Sequence, residues 1–106
     1  MTSLHRLARM MAMLTTALAR VRRLEKHCHE KQCEYLKNLE LQLERLKIRL
    51  ETYAFLGAKI PSMLRDVKET LIDARNLLRE VDDPMVASIL IELGNEAERL
   101  LTELSL

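Results

Sequence analysis

Apolar residues recur at steps of three and four along almost the whole chain, and that spacing excludes most folds at once. The longest run reads Leu39, Leu43, Leu46, Leu50, Tyr53, Gly57, Ile60, Leu64, Val67, Leu71, Ala74, Leu78, Val81. Alternating steps of three and four put every member on one stripe of a helix, whereas a half-buried strand needs a step of two. An earlier run, Leu4, Leu7, Met11, Leu14, Leu18, Val21, keeps the same spacing in an offset register. A last run, Val86, Leu90, Leu93, Ala97, Leu100, Leu104, closes the chain. The fold class is therefore all-α. Two Gly and two Pro in 106 residues leave little material for turns, and Leu, Ala, Glu, Lys and Arg dominate, as they do in long helices.

The few helix breakers set the divisions. The segment EKHCHEKQCE, residues 25 to 34, is polar but holds neither Gly nor Pro, so a helix is expected to run through it with a change of face. A first helix is predicted over about 3–57, roughly 80 Å long at about 1.5 Å per residue. Gly57 lowers the local helix preference by about 1 kcal/mol. Pro61 removes a backbone donor and crowds the carbonyl four residues back. Because the stripe keeps its register across both, Gly57 and Pro61 read as a hinge, able to bend into a hairpin or straighten into one rod; the alternative is a plain loop whose flanking registers match by chance. Helices over about 61–81 and 84–104 follow. Between them DDP, residues 82 to 84, supplies Asp83 as an N-cap and Pro84 at the first helical position. Gly94 and Asn95 weaken the middle of the last helix. The whole of 1–106 reads as a single helical assembly domain, with Leu39, Leu43, Leu46, Leu50, Tyr53, Ile60, Leu64, Val67, Leu71 and Leu78 as its assembly stripe.

Charge is distributed unevenly along the chain. Residues 1–31 carry seven Lys/Arg against two Glu, or +5, and residues 82–106 carry Arg99 against six acids, or −5. A basic head and an acidic tail can attract each other within a chain or between chains. Arg6, Arg9, Arg20, Arg22, Arg23 and Lys26 form the basic set, suited to an anionic membrane surface at about 1 kcal/mol per residue or to an acidic partner. Nucleic acid is not expected, because no aromatic residues interleave with these cations for stacking.

Several chemistries find no support. The longest apolar run, Met10 to Leu14, is far short of the ~20 residues of a membrane span. No continuous apolar stretch at the N-terminus suggests a signal peptide, so a cytoplasmic location is expected. There is no glycine-rich phosphate loop, nucleophile elbow or metalloprotease motif, hence no enzyme and no cofactor. His29 and Cys33, four apart, are weak metal candidates, since two ligands on one helix do not complete a four-ligand site. Cys28 and Cys33 diverge around a helix and cannot bridge without unwinding it.

LELQLERLKIRLETYAFLG, residues 39 to 57, resembles the central helix of archaeal ESCRT-III-like proteins, the CdvB family of the cell-division machinery. In that family a leucine-rich run ends in R-L-E-T, followed shortly by L-G; here these are Arg49, Leu50, Glu51, Thr52, Leu56 and Gly57. EVDDPMVASILIELGNEAERLLTEL, residues 80 to 104, resembles the fourth helix of the wider ESCRT-III fold, and ALARVRRLEK, residues 17 to 26, looks like the basic start of its second helix. The resemblance implies a filament-forming, membrane-remodelling subunit of cell division or membrane scission. Such a subunit switches between a closed form and an open one in which the second and third helices merge, here at 57–61. It implies self or paralogous ESCRT-III-like subunits as partners. Most of the family's first helix is expected to be missing, and so is the tail that recruits an AAA ATPase. A different reading of the same helices is a helical adaptor or chaperone that forms a discrete small oligomer.

Overall fold

The computed structural model describes residues 3–56 and 60–105, with side chains described at 4–52 and 64–105. Four helices occupy nearly all of it: α1 (Ser3–Glu25), α2 (Glu30–Leu56), α3 (Ile60–Leu78) and α4 (Pro84–Leu104). Among the described residues there is no strand. The all-α class holds, but the single helix expected over 3–57 is two helices folded back on one another.

The break falls in the polar segment. α1 ends on tight bonds, with the N–H of Lys26 donating to Arg23 O at 3.3 Å and that of His27 to Leu24 O at 3.2 Å. Bonds of this three-residue reach finish a helix. α2 restarts with Cys33 N–H donating to His29 O at 2.8 Å. Cys28 and Cys33 are joined by a disulfide across this turn, their Cα atoms 5.3 Å apart. The helix does unwind, and the bridge forms where it does. α3 also stops short of the expected residue 81, its end tightened by Arg79 N–H to Asn76 O and Glu80 N–H to Leu77 O. The next boundary follows local chemistry: the Asp83 side chain accepts from Val86 N–H and Pro84 opens α4. Gly94 and Asn95 do not interrupt α4, which is continuous.

The helices form an antiparallel bundle, 47 × 23 × 20 Å. Arg6 meets Glu96 and Glu103 while Arg20 meets Asp83, so α4 runs opposite to α1. Tyr35 meets the backbone of Glu80 and Arg49 meets Asp73, so α3 runs opposite to α2. α2 packs chiefly on α1 and α3 chiefly on α4; α1 and α4 join these pairs, and the α2–α3 seam is the loosest.

The three apolar stripes supply one core, although Leu4 is exposed and Met10 and Leu77, outside the stripes, are buried. Leu7, Leu14 and Leu18 from α1, Leu43 and Leu50 from α2, Val67 from α3, and Leu90, Leu93 and Leu100 from α4 are almost wholly buried. The expected assembly stripe lies here. Leu39, Leu43, Leu46, Leu50, Val67 and Leu71 are buried in this chain's own core, with Leu64 and Leu78 partly so. In this conformation they present no edge to a neighbour. The side chains of Tyr53, Ile60 and Pro61 lie outside the described residues, as does Gly57 entirely. The expected hinge is thus described only where the backbone of Ile60 and Pro61 opens α3.

Candidate functional site

The seam between α1 and α4 is where the opposite charges of head and tail meet. Glu96 is fully buried on α4, and its carboxylate accepts from Arg6 at 2.9 Å and from Arg99 at 2.5 Å, with Arg9 at 3.9 Å. Burial opposes its ionisation, but the hydrogen bonds from Arg6 and Arg99 and the charges of Arg9 and Arg6 outweigh it and hold its pKa below the ordinary value. Arg6 also donates to Glu103 at 2.5 Å. Further along, Arg20 grips the Asp83 carboxylate at 2.9 and 3.3 Å, so one acid caps α4 and ties it to α1. The Arg20 hydrogen bond is the main reason that the Asp83 pKa is lowered.

The basic set is therefore divided. Arg6 and Arg20 are engaged by α4, and Arg22 reaches Glu44 on α2 at 2.7 Å and Glu40 at 3.8 Å. Arg9 is half-exposed beside Glu96. Arg23 and Lys26 stand exposed at the end of α1, with no ion-pair partner among the described residues. They do not gather into one cationic patch in this form.

The α1–α2 turn holds the residues considered for metal binding. Cys33 is in the disulfide, and His27 and His29 are exposed on either side of Cys28. Among the described residues no group of three His, Cys, Asp or Glu is placed to hold a metal ion. Just before the turn, one Glu25 oxygen is buried without a hydrogen-bond partner. Its carboxyl faces that of Glu40 on α2; burial first, then sharing with Glu40, raises its pKa, while Lys37 and Arg22 pull it down.

Between α2 and α3 a cleft of about 320 Å³ opens over Leu46 and Leu77. Arg49 spans it to Asp73 at 2.9 Å and Thr70 at 3.4 Å. The buried Thr70 hydroxyl donates to Asp66 O at 2.8 Å. Tyr35 ties α2 to the turn after α3, its hydroxyl donating to Glu80 O at 2.6 Å and accepting from Asp82 N–H at 3.3 Å. Outside the bundle, α2 turns Leu41 and Ile48 to solvent, seven residues apart and hence on one face.

Glu96, Thr70 and the Tyr35 tie are not among the residues that the sequence singles out. Glu96 had an available signal: it flanks the stripe positions Leu93, Ala97 and Leu100, on a helix expected to meet a basic one. Thr70 and Tyr35 depend on which helix lies opposite, which periodicity does not report. No helix is long and apolar enough to cross a membrane, among the described residues. No protein-family model, curated protein or solved structure matches the chain.

Proposed function

We propose that this chain is a filament-forming, membrane-remodelling subunit of the ESCRT-III-like kind, held here in a closed form, and that it acts by assembly rather than catalysis. The observation that carries the reading is the closure itself. A basic α1 folds back on α2, and an acidic α4 folds across α1, taking up Arg6 and Arg20 through Glu96, Glu103 and Asp83. Opening would release those arginines for an anionic surface and expose the leucine stripe for lateral contacts with further copies. The R-L-E-T and L-G residues at 49–57 support the same reading, as does the junction between α2 and α3 at the predicted hinge.

A discrete helical adaptor is the second reading, favoured by the burial of the stripe within one chain. Light scattering over a concentration series in the presence of a soluble anionic lipid separates the two: growth of open-ended mass supports the polymer, and a size fixed at that of a small oligomer supports the adaptor. Co-sedimentation with anionic and neutral vesicles, at low and high salt, tests the membrane role. Selective, salt-sensitive pelleting with anionic vesicles is expected, and indifference to lipid charge would remove that role.

A further inference from the structure

The α1–α2 turn has none of the local chemistry that holds the α3–α4 turn. The latter has Asp83 capping Val86 N–H and Pro84 at the first helical position. The former, residues 26 to 29, has no Gly or Pro and places His29, a weak capping residue, before α2. Indeed no Gly or Pro occurs anywhere between residues 3 and 56. What distinguishes the turn is the Cys28–Cys33 bridge. In a continuous helix two residues five apart lie about 140° apart around the axis, with Cα atoms about 8.7 Å from each other. A disulfide does not span more than about 7 Å without backbone movement. At 5.3 Å, the bridge and a continuous helix exclude one another.

We propose that the Cys28–Cys33 disulfide is a latch that keeps α1 folded on α2, and that its reduction lets residues 26–29 turn helical and the chain exchange α1 with a second copy of itself. The step is a thiol–disulfide exchange with a dithiol reductant. The S–S bond breaks, Cys28 and Cys33 each gain one electron and one proton, and the reductant leaves as its own disulfide. A second copy is the partner because an opened hairpin uncovers Leu7, Leu14 and Leu18 together with Leu43 and Leu50, and the surface that fits each set is the other set. Exchanging an identical element restores those contacts at low cost. Glu25, one oxygen of which is buried without a hydrogen-bond partner, faces Glu40 across the hairpin and adds a bias toward opening at neutral pH, offset in part by Lys37 and Arg22.

The inference stands apart from the filament reading: a reduced dimer indifferent to vesicles would uphold the latch and count against that reading. The test compares the oxidised full chain, the chain reduced with dithiothreitol, and the Cys28→Ser/Cys33→Ser variant, by light scattering and small-angle X-ray scattering. The oxidised chain should be a monomer with a long axis near 47 Å. The other two should double in mass and lengthen toward about 80 Å, the span of a helix over 3–56. Adding Glu30→Pro to the double serine variant should restore the compact monomer, because Pro suits the first position of α2 but not the interior of a joined helix. A reduced chain and serine variant that both stay compact and monomeric would overturn the latch. So would a serine variant that loses its helical circular-dichroism signal, since the bridge would then be needed for folding itself, and so would a dimer that persists with Glu30→Pro.

Discussion

Two carboxylates, Glu96 in the α1–α4 seam and Glu25 in the α1–α2 seam, respond to pH with opposite sign. Glu96 is fully buried, and its pKa is held below the ordinary value despite burial, by Arg6 and Arg99. Its contribution is present above the unfolded-state pKa, about 4.3, and is lost as pH falls through the lower folded value. Glu96→Gln keeps the shape and removes the charge, and should cost about 2 kcal/mol at neutral pH, the range for hydrogen bonds to charged groups. Thermal melts should show that loss shrinking in acid. Glu25 behaves in the reverse way. Its folded pKa is raised, so its favourable contribution is full only below the unfolded-state value and disappears as pH rises through the folded one. Glu25→Gln is therefore expected to stabilise the chain at pH 7 by about 1 kcal/mol, the order of cost of an unsatisfied buried acceptor. That gain should vanish when the same melts are run below about pH 4. A destabilised Glu25→Gln at pH 7 would contradict the assignment.

At the scale of helices, what was legible depended on whether the boundary was local. The start of α4 could be read because Asp83 and Pro84 act on their own neighbours. The α1–α2 turn could not, because residues 25–34 contain no breaker; a covalent bridge and the packing of two stripes impose it. The stripes read as helical faces, with Leu4 turned to solvent as the exception and Met10 and Leu77 as core residues they leave out. Which stripe covers which was not legible, since the same a/d spacing suits a neighbour in another chain or a helix of this one. The acidic tail and basic head foretold attraction, but only the folded chain pairs Arg6 with Glu96 and Arg20 with Asp83. Gly94 makes a further point about α4. A Cβ there would sit 3.6 Å from Leu71 Cδ1, an ordinary contact. Gly94→Ala should thus gain helix preference without a clash, stabilising by up to about 1 kcal/mol in a denaturant melt. A loss would mean that α3 and α4 pack more tightly than this spacing allows. Pro61→Ala addresses the other junction. If it lies at a hinge, removing the proline should favour merging of α2 and α3 and raise assembly several-fold in pelleting assays. Unchanged pelleting would reduce the junction to an ordinary connection.

On the function proposed above, the whole molecule puts the same surfaces to two uses. Leu43, Leu50 and Val67 make the core of a closed bundle, and they are also the residues that would line a filament seam. Arg6 and Arg20 neutralise α4 when closed and would meet an anionic surface when open. On the proposed function closure and assembly are competing states, and conditions that weaken the α1–α4 seam should promote assembly. Electron microscopy of the chain incubated with anionic vesicles tests this most directly. Ordered filaments on deformed vesicles, more numerous with Pro61→Ala, are predicted. Smooth vesicles beside dispersed, compact particles, in the parent and the variant alike, would contradict it.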